Sequence, residues 1–207
     1  MKKNVMFSIW VLALVFYFCA DSSKVFSQEP ATGAPVPPPK PVTSSSQKTL
    51  DVVFGAFKSY RHSSGWFSMS VPENWTISEK SVEGEYIISV TDPTENAAFV
   101  GRVWSSPDNM TEDELETVLT MFLNESLSDF LNFKLGIPTQ IDGKVGINFK
   151  YDSVIEAKTY PMIGESFIEQ NGRIIGLTNF ILPKDQSVKK RDLINKMINS
   201  IKINPRN

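Results

Sequence analysis

The sequence predicts an α+β fold, in which helices pack on the faces of a central, mainly antiparallel sheet to form an α/β/α sandwich. Three features indicate this class. Segments of alternating apolar and polar residues mark about six to eight strands. Two amphipathic segments have the spacing of helices, and two dipeptides suited to tight turns fall between predicted strands.

Five strands are predicted before the first helix. They are Val52–Tyr60, Trp66–Val71, Thr76–Lys80, Tyr86–Thr91 and Ala97–Trp104. The last carries apolar residues on both faces, with Phe99 and Val103 on one side and Val100 and Trp104 on the other. A strand with two apolar faces is usually covered on both sides, so we expect it inside the sheet.

The first helix has a clear start. Thr111 followed three residues later by Glu114 forms a capping box, and the first turn is acidic, which suits the positive end of the helix dipole. Apolar residues then recur every three or four positions from Leu115 to Leu131. The sequence therefore predicts a helix whose single apolar stripe lies on a sheet.

The second half predicts two hairpins and a closing helix. Asp142-Gly143 and Asn171-Gly172 suit type I′ turns, in which both central residues need positive φ. The flanking strands are Ile137–Ile141, Lys144–Tyr151, Ile163–Gln170 and Arg173–Ile181. A helix from Ser187 to Ile201 is expected to direct its apolar side chains towards the core: Val188, Leu193, Ile194, Met197, Ile198 and Ile201.

The N-terminus predicts export. Two lysines precede an apolar run of about 16 residues, Val5–Ala20, which is short for a bilayer span of roughly 20. Small residues at Val25 and Ser27 place the expected cleavage before Gln28, so residues 1–27 form a signal peptide. The bulky residues before Cys19 do not fit a lipidation motif. They also leave retention open, in which case the segment anchors the chain near the membrane.

A proline-rich and serine-rich stretch follows at residues 28–48, and its composition predicts a disordered linker. The remaining residues, 49–207, have the length of one domain. Cys19 is the only cysteine, so the predicted mature chain has no disulfide. The full chain has a net charge of −2, and removing residues 1–27 makes it −4. Without a basic excess, we expect no nucleic-acid partner.

Short motifs resemble the PsbP/Mog1-like superfamily, which includes exported bacterial domains of the DcrB type. Similar segments are Tyr60–Trp75, with its Gly-aromatic pair and Pro-x-x-Trp ending, the hairpin Asn171–Thr178 and the closing Ser200–Ile203. The resemblance implies a central antiparallel sheet flanked by helices and a role in binding rather than catalysis. It implies no particular metal, cofactor or partner site.

Candidates for chemistry are few. His62 is the only histidine, and its place beside Ser63 and Ser64 predicts an exposed loop residue rather than a catalytic base. Four acidic residues, Glu83, Glu85, Asp92 and Glu95, lie close in sequence, and two carboxylates could serve as acid and base in a hydrolase. Acidic residues are common in turns, so we favour a solvated role. No metal-binding or cofactor-binding motif is found.

These features predict a non-catalytic binding or accessory module that acts outside the cytoplasm. It would be periplasmic or secreted, or in a thylakoid lumen if the host is photosynthetic, and its partner would be an unknown envelope protein. The candidate contact loop is Arg61–Trp66, with Arg61, His62 and Trp66 as its contact residues. The alternatives are a carboxylate-dependent hydrolase using residues 83–95 and a purely structural envelope protein.

Overall fold

A computed structural model describes residues 50–141, 143–155 and 157–204 of the chain. The predicted signal peptide, at residues 1–27, and the predicted linker, at residues 28–48, lie outside these residues. The described strands are β1 (Phe57–Arg61), β2 (Phe67–Pro72), β3 (Thr76–Val82), β4 (Glu85–Thr91), β5 (Ala98–Ser105), β6 (Leu131–Leu135), β7 (Thr139–Ile141), β8 (Lys144–Ile155), β9 (Lys158–Asn171), β10 (Ile174–Pro183) and β11 (Lys202–Ile203). The described helices are α1 (Glu112–Leu127), α2 (Lys184–Lys189) and α3 (Arg191–Asn199).

The strands form two sheets in which every pairing is antiparallel. The eight-stranded sheet has the order β3-β4-β5-β10-β9-β8-β6, and β7 also pairs with β8. The three-stranded sheet has the order β1-β2-β11. β5 lies inside the large sheet between β4 and β10, where its two apolar faces predicted it. The predicted α+β class is therefore confirmed.

One face of the large sheet is covered by the small sheet and α3. Directly paired residues of antiparallel strands share a face, which places Phe99 of β5 beside Phe180 of β10. Both belong to one buried cluster with Phe67 and Met69 of β2 and Met197 of α3. This cluster is the main core, and it fixes the loop between β1 and β2 against the large sheet.

The opposite face is covered by α1. Four leucines of this helix, Leu115, Leu119, Leu123 and Leu127, are buried, and the helix lies against β8 and β9. The alternating residues Val145, Ile147, Phe149 and Tyr151 of β8 are buried as well. The capping box forms as predicted, because Glu114 N–H donates to Thr111 Oγ1 and Thr111 N–H donates to Glu114 Oε2. The predicted stripe of α1 is thus confirmed up to Leu127.

The end of α1 differs from the prediction. The helix stops at Leu127, and Leu131 instead begins β6 by pairing with Asp152 of β8. Ser128 and Asp129, which compete for backbone hydrogen bonds and weaken a helix interior, separate the two elements. Leu131 is therefore 54% exposed instead of buried in the helix stripe. The strand β6 was not predicted from the sequence.

The predicted closing helix is two helices. Lys190, with φ −111° and ψ 11°, breaks it between α2 and α3. A continuous helix would place Lys190 and Arg191 on the buried side, four and three residues before Ile194, and burying both charges is costly. The break leaves Val188 82% exposed, so its predicted core position is wrong.

Two local expectations also fail. The first strand begins at Phe57, not at Val52, although Val52 is buried in the core without belonging to a strand. In the last hairpin Asn171 pairs with Ile174, so the central turn residues are Gly172 and Arg173. Only Gly172 of these has positive φ, at 59°, which matches a turn with glycine first rather than type I′.

Candidate functional site

The loop between β1 and β2 is built on a polar cluster, here called the His62 cluster, which consists of Tyr60, His62, Ser63, Ser64 and Glu79. β1 and the loop supply four of these residues, and β3 of the large sheet supplies Glu79. The turn closes through hydrogen bonds from His62 N–H to Phe67 O and from Gly65 N–H to His62 O, both 2.9 Å long. Positive φ at position 65, +78°, explains the glycine there.

His62 lies beneath this loop and is only 3% exposed, which corrects the expected exposed position. Its Nδ1 accepts the backbone N–H of Ser64 at 3.0 Å, and its Nε2 lies 3.2 Å from Glu79 Oε2. Since one nitrogen of a neutral imidazole accepts and the other donates, this pattern assigns the proton to Nε2. The ring also packs 5.1 Å from that of Tyr86. Both nitrogens of the histidine therefore serve the structure of the loop.

Glu79 joins the loop to the large sheet. It accepts hydrogen bonds from the Tyr60 hydroxyl and, at 3.0 Å, from Ser63 Oγ. Burial acts to raise the pKa of Glu79, but the hydrogen bonds from Tyr60 and Ser63 and the electrostatic attraction of the His62 ring outweigh it and hold the pKa below its ordinary value. Burial and the neighbouring carboxylate raise the pKa of the Tyr60 hydroxyl. The carboxylate is therefore ionised and the phenol neutral around neutral pH.

The order Ser64–His62–Glu79 resembles a nucleophile, base and acid, because Ser64 Oγ lies 2.8 Å from His62 Nδ1. The lone pair of Nδ1, which would have to take the serine proton, already accepts the Ser64 backbone N–H. Ser64 Oγ in turn accepts the backbone N–H of Trp66 at 3.1 Å, and Ser64 is buried. This arrangement orients the loop and leaves its serine poorly placed to attack a substrate.

The predicted contact residues differ in position. Arg61 is exposed on the loop, whereas Trp66 is half-buried. The ring of Trp66 lies nearly perpendicular to that of Tyr86, with their centroids 5.3 Å apart. The backbone carbonyl of Trp66 accepts Asn204 N–H at 2.7 Å, and its indole Nε1 has no hydrogen-bond partner among the described residues. His62 is not on the surface. The surface of the loop is therefore formed by Arg61, Ser63 and an edge of Trp66.

Sequence reasoning missed Glu79 as the partner of His62. Glu79 lies two residues after Ile77 on the same face of β3, and this face is directed towards the core. The Glu79 side chain stays 33% exposed, but a carboxylate that interrupts the apolar face of a strand indicates a polar partner beside it. That alternation was the available signal, but the sequence does not show that the loop of β1 and β2 lies opposite β3.

The four carboxylates of residues 83–95 are not brought together. Glu83 and Glu95 are exposed in turns at opposite ends of β4, which at seven residues separates them by roughly 20 Å. Asp92 is buried and accepts Ala97 N–H at 2.8 Å and Thr94 N–H at 3.1 Å, so it stabilises the turn. Glu85 forms an ion pair with Arg102, whose Nη2 lies 2.7 Å from Oε2. The hydrolase alternative therefore finds no paired carboxylates here.

No three His, Cys, Asp or Glu side chains of residues 50–141, 143–155 and 157–204 group so as to hold a metal ion. Among the same residues, no helix has the length and apolar character required to cross a membrane.

Several solved structures match this chain at low sequence identity. The match to cyanobacterial PsbP (CyanoP) from Synechocystis sp. PCC 6803 has 12% identity and a TM-score of 0.52, covering 80% of this chain and 100% of that chain. The match to the Ran-binding protein Mog1p of Saccharomyces cerevisiae has 8% identity and a TM-score of 0.49, covering 72% and 96% of the two chains. LpqN of Mycobacterium tuberculosis, involved in cell envelope biogenesis, matches with 13% identity and a TM-score of 0.44, covering 72% and 91%.

No family model and no curated protein matches the sequence. At 12% identity the likeness to CyanoP concerns the fold alone. It agrees with the resemblance first noted in Tyr60–Trp75, in the hairpin Asn171–Thr178 and at the closing residues. The chain therefore has the same α+β fold as cyanobacterial PsbP (CyanoP).

Proposed function

We propose that this chain is an exported, non-catalytic binding or accessory module, held at or near the outer face of the cytoplasmic membrane. The charged n-region, the apolar run and the proline-rich stretch of residues 28–48 support export and tethering. Its partner is an envelope protein, and its contact surface is the Arg61–Trp66 loop.

The observation that carries this proposal is the use made of the only histidine in the sequence. His62 is buried, and both ring nitrogens are engaged by Ser64 and Glu79 inside the loop. The carboxylates that offered an alternative chemistry sit at opposite ends of β4 or in an ion pair with Arg102. The polar groups near the loop thus favour holding a surface in shape over turning over a substrate.

The loop has the properties of a preformed contact surface. Its backbone is fixed at the turn, at Ser64 and at Asn204, so little conformational freedom remains to be lost on binding. It presents an exposed guanidinium from Arg61 and part of the indole of Trp66, two residue types enriched in binding hot spots.

A cross-linking pull-down from native membranes tests the contact surface. The variant is Arg61→Ala, since Arg61 is exposed and no described residue depends on its side chain for an ion pair. The matched control is Lys58→Ala, an exposed cation of β1 outside the loop. We expect the wild-type chain and the control to capture the same protein and Arg61→Ala to lose most of it. Equal capture by all three chains would reject this loop as the contact surface.

Mass spectrometry of the chain recovered from the cell envelope tests export separately. The proposal expects an N-terminus at Gln28, allowing for cyclisation of an N-terminal glutamine, or an intact N-terminal segment in the membrane fraction. Recovery of the intact chain from the cytoplasm alone would contradict export.

A further inference from the structure

A pocket of about 130 Å³ lies away from the Arg61–Trp66 loop, where α2 and α3 meet β9 and β10. Apolar side chains of these elements line it: Ile163, Phe180, Leu182 and Ile194. Val188, the most exposed large apolar residue of the two helices, stands at its rim. The break at Lys190 that separates α2 from α3 thus leaves an apolar pocket on the surface.

The size of the pocket decides what kind of group it fits. Pockets for small-molecule ligands usually measure about 300–1,000 Å³, so 130 Å³ is too small for one. It suits a single aliphatic side chain, which is how anchor residues of a protein partner are usually received.

The surroundings of the pocket are basic. Residues 184–196 contain five lysines and arginines against two aspartates, a net charge of +3 in a chain whose net charge is −2. Arg191 lines the pocket and forms no ion pair with another described residue. On this helical side, an anionic group next to the anchor would therefore meet an available guanidinium.

The sheet side is basic as well. Lys150 of β8 pairs directly with Ile163 of the pocket on one side and with Lys134 of β6 on the other. Both lysines are exposed, and like charges placed directly opposite each other destabilise a strand pair. Their pairing has no benefit for the sheet itself, but it provides positive charge on the second side of the pocket.

Glu165 also lines the pocket, so a carboxylate inside it would be repelled. The apolar group must therefore enter the pocket, with acidic groups lying outside it towards Arg191 and towards Lys150. We propose that this surface binds an acidic segment of a partner protein, with one aliphatic side chain in the pocket and acidic residues on both sides. This site is distinct from the Arg61–Trp66 loop and does not rest on its role.

Fluorescence anisotropy with the purified full chain tests the proposal. The probe is a fluorescein-labelled peptide with one leucine flanked by two glutamates on each side. Replacing that leucine by glycine is expected to weaken binding roughly 10- to 100-fold, because burial of the leucine side chain is lost. A peptide with lysine flanks is expected not to bind.

Two matched variants separate the pocket from general electrostatic attraction. Arg191→Glu and Lys189→Glu change the charge equally, both side chains are exposed, and only Arg191 lines the pocket. We expect Arg191→Glu to weaken peptide binding at least about fivefold more than Lys189→Glu, with thermal midpoints of both variants close to that of the wild type. Arg61→Ala is expected to leave peptide binding unchanged, so failure of this site and failure of the loop can be distinguished.

Three outcomes would overturn the proposal. These are no saturable peptide binding at millimolar concentration, equal losses in the two charge variants, or binding that does not depend on the leucine. Vesicles containing phosphatidylglycerol are tested in parallel. If vesicle binding is lost in Arg191→Glu while the peptide does not bind, the basic surface serves a membrane and the proposal is wrong.

Discussion

His62 shows how burial changes the role of a single residue. In the sequence it stands among serines before a glycine, a setting typical of an exposed loop. In the structure it is buried, because Glu79 of another sheet provides a partner for Nε2 and the loop provides one for Nδ1. The sequence identified the loop but not the depth of its histidine, since that depth depends on how the small sheet packs on the large one.

Replacing Glu79 by Gln tests the His62 cluster. The lowered pKa of Glu79 in the folded chain means that its ionised form stabilises the fold above its ordinary value of 4.5, and this contribution disappears as pH falls through the lower folded value. Glu79→Gln should therefore reduce stability by about 1 kcal/mol near neutral pH. It should also flatten the loss of stability with acid below that value, as measured by urea unfolding at several pH values.

The control for this experiment is Glu73→Gln, which changes an exposed carboxylate of a turn. It should leave both the stability near neutral pH and the acid response close to those of the wild type. If Glu79→Gln and the control behave alike, the cluster does not hold the loop.

Asn179 carries a different kind of polar group, because its buried Oδ1 has no hydrogen-bond partner among the described residues. A buried acceptor without a hydrogen bond is destabilising. Leucine has nearly the same branched shape as asparagine but no polar atoms. Asn179→Leu should therefore increase the free energy of unfolding by up to about 1 kcal/mol, which a higher thermal midpoint would show. Ser166, paired with Asn179 across β9 and β10, donates to Thr178 O at 2.9 Å, so Ser166→Ala should lower the midpoint. A large loss in Asn179→Leu would show that the amide is needed.

At the scale of elements, the predictions were correct where a local sequence signal was strong. The start of α1 follows from Thr111 and Glu114, and the interior place of β5 follows from its two apolar faces. The errors arise where strand pairing or the cost of burying charged side chains overrides the spacing of apolar residues. Leu131 left the helix stripe to pair with β8, and Val188 was separated from the core by the break at Lys190.

The capping box of α1 provides a test of that local signal. Thr111→Ala removes the hydroxyl that accepts Glu114 N–H and should destabilise the fold by about 1 kcal/mol. Thr111→Asp should retain most of the stability, because aspartate is also a good N-cap. Thr117→Ala, an exposed substitution within the helix, is the control and should be neutral or slightly stabilising. Equal stability of Thr111→Ala and the wild type in urea unfolding would contradict this account.

The turn between β3 and β4 was not predicted, although it has the pattern of a type I′ turn. Its central residues, Glu83 and Gly84, both have positive φ, at 50° and 86°. Asparagine adopts this conformation more readily than glutamate, so Glu83→Asn should stabilise the fold by roughly 0.5 kcal/mol. A lower thermal midpoint in Glu83→Asn would show that the Glu83 side chain has a stabilising role of its own.

For the whole molecule, composition and alternation were sufficient to predict the class but not the order of the strands. The pairing of β5 with β10, which joins the two halves of the large sheet, brings together segments far apart in the chain. Glu79 meets the β1–β2 loop because the small sheet packs on the large one, and the pocket lies where α2 and α3 pack on β9 and β10. The sequence therefore indicated which types of residue could form a site, but not which of them lie together in the fold.

The central claim is that the chain binds a partner through the Arg61–Trp66 loop and that its polar residues shape this surface. The most direct measurement is photo-cross-linking in the producing cells, with benzoylphenylalanine at position 61 and, as a matched position, at exposed position 58. The account predicts one discrete cross-linked envelope protein from position 61 and none from position 58. The same pattern of cross-links from both positions, or none from position 61 in a folded and exported chain, would contradict it.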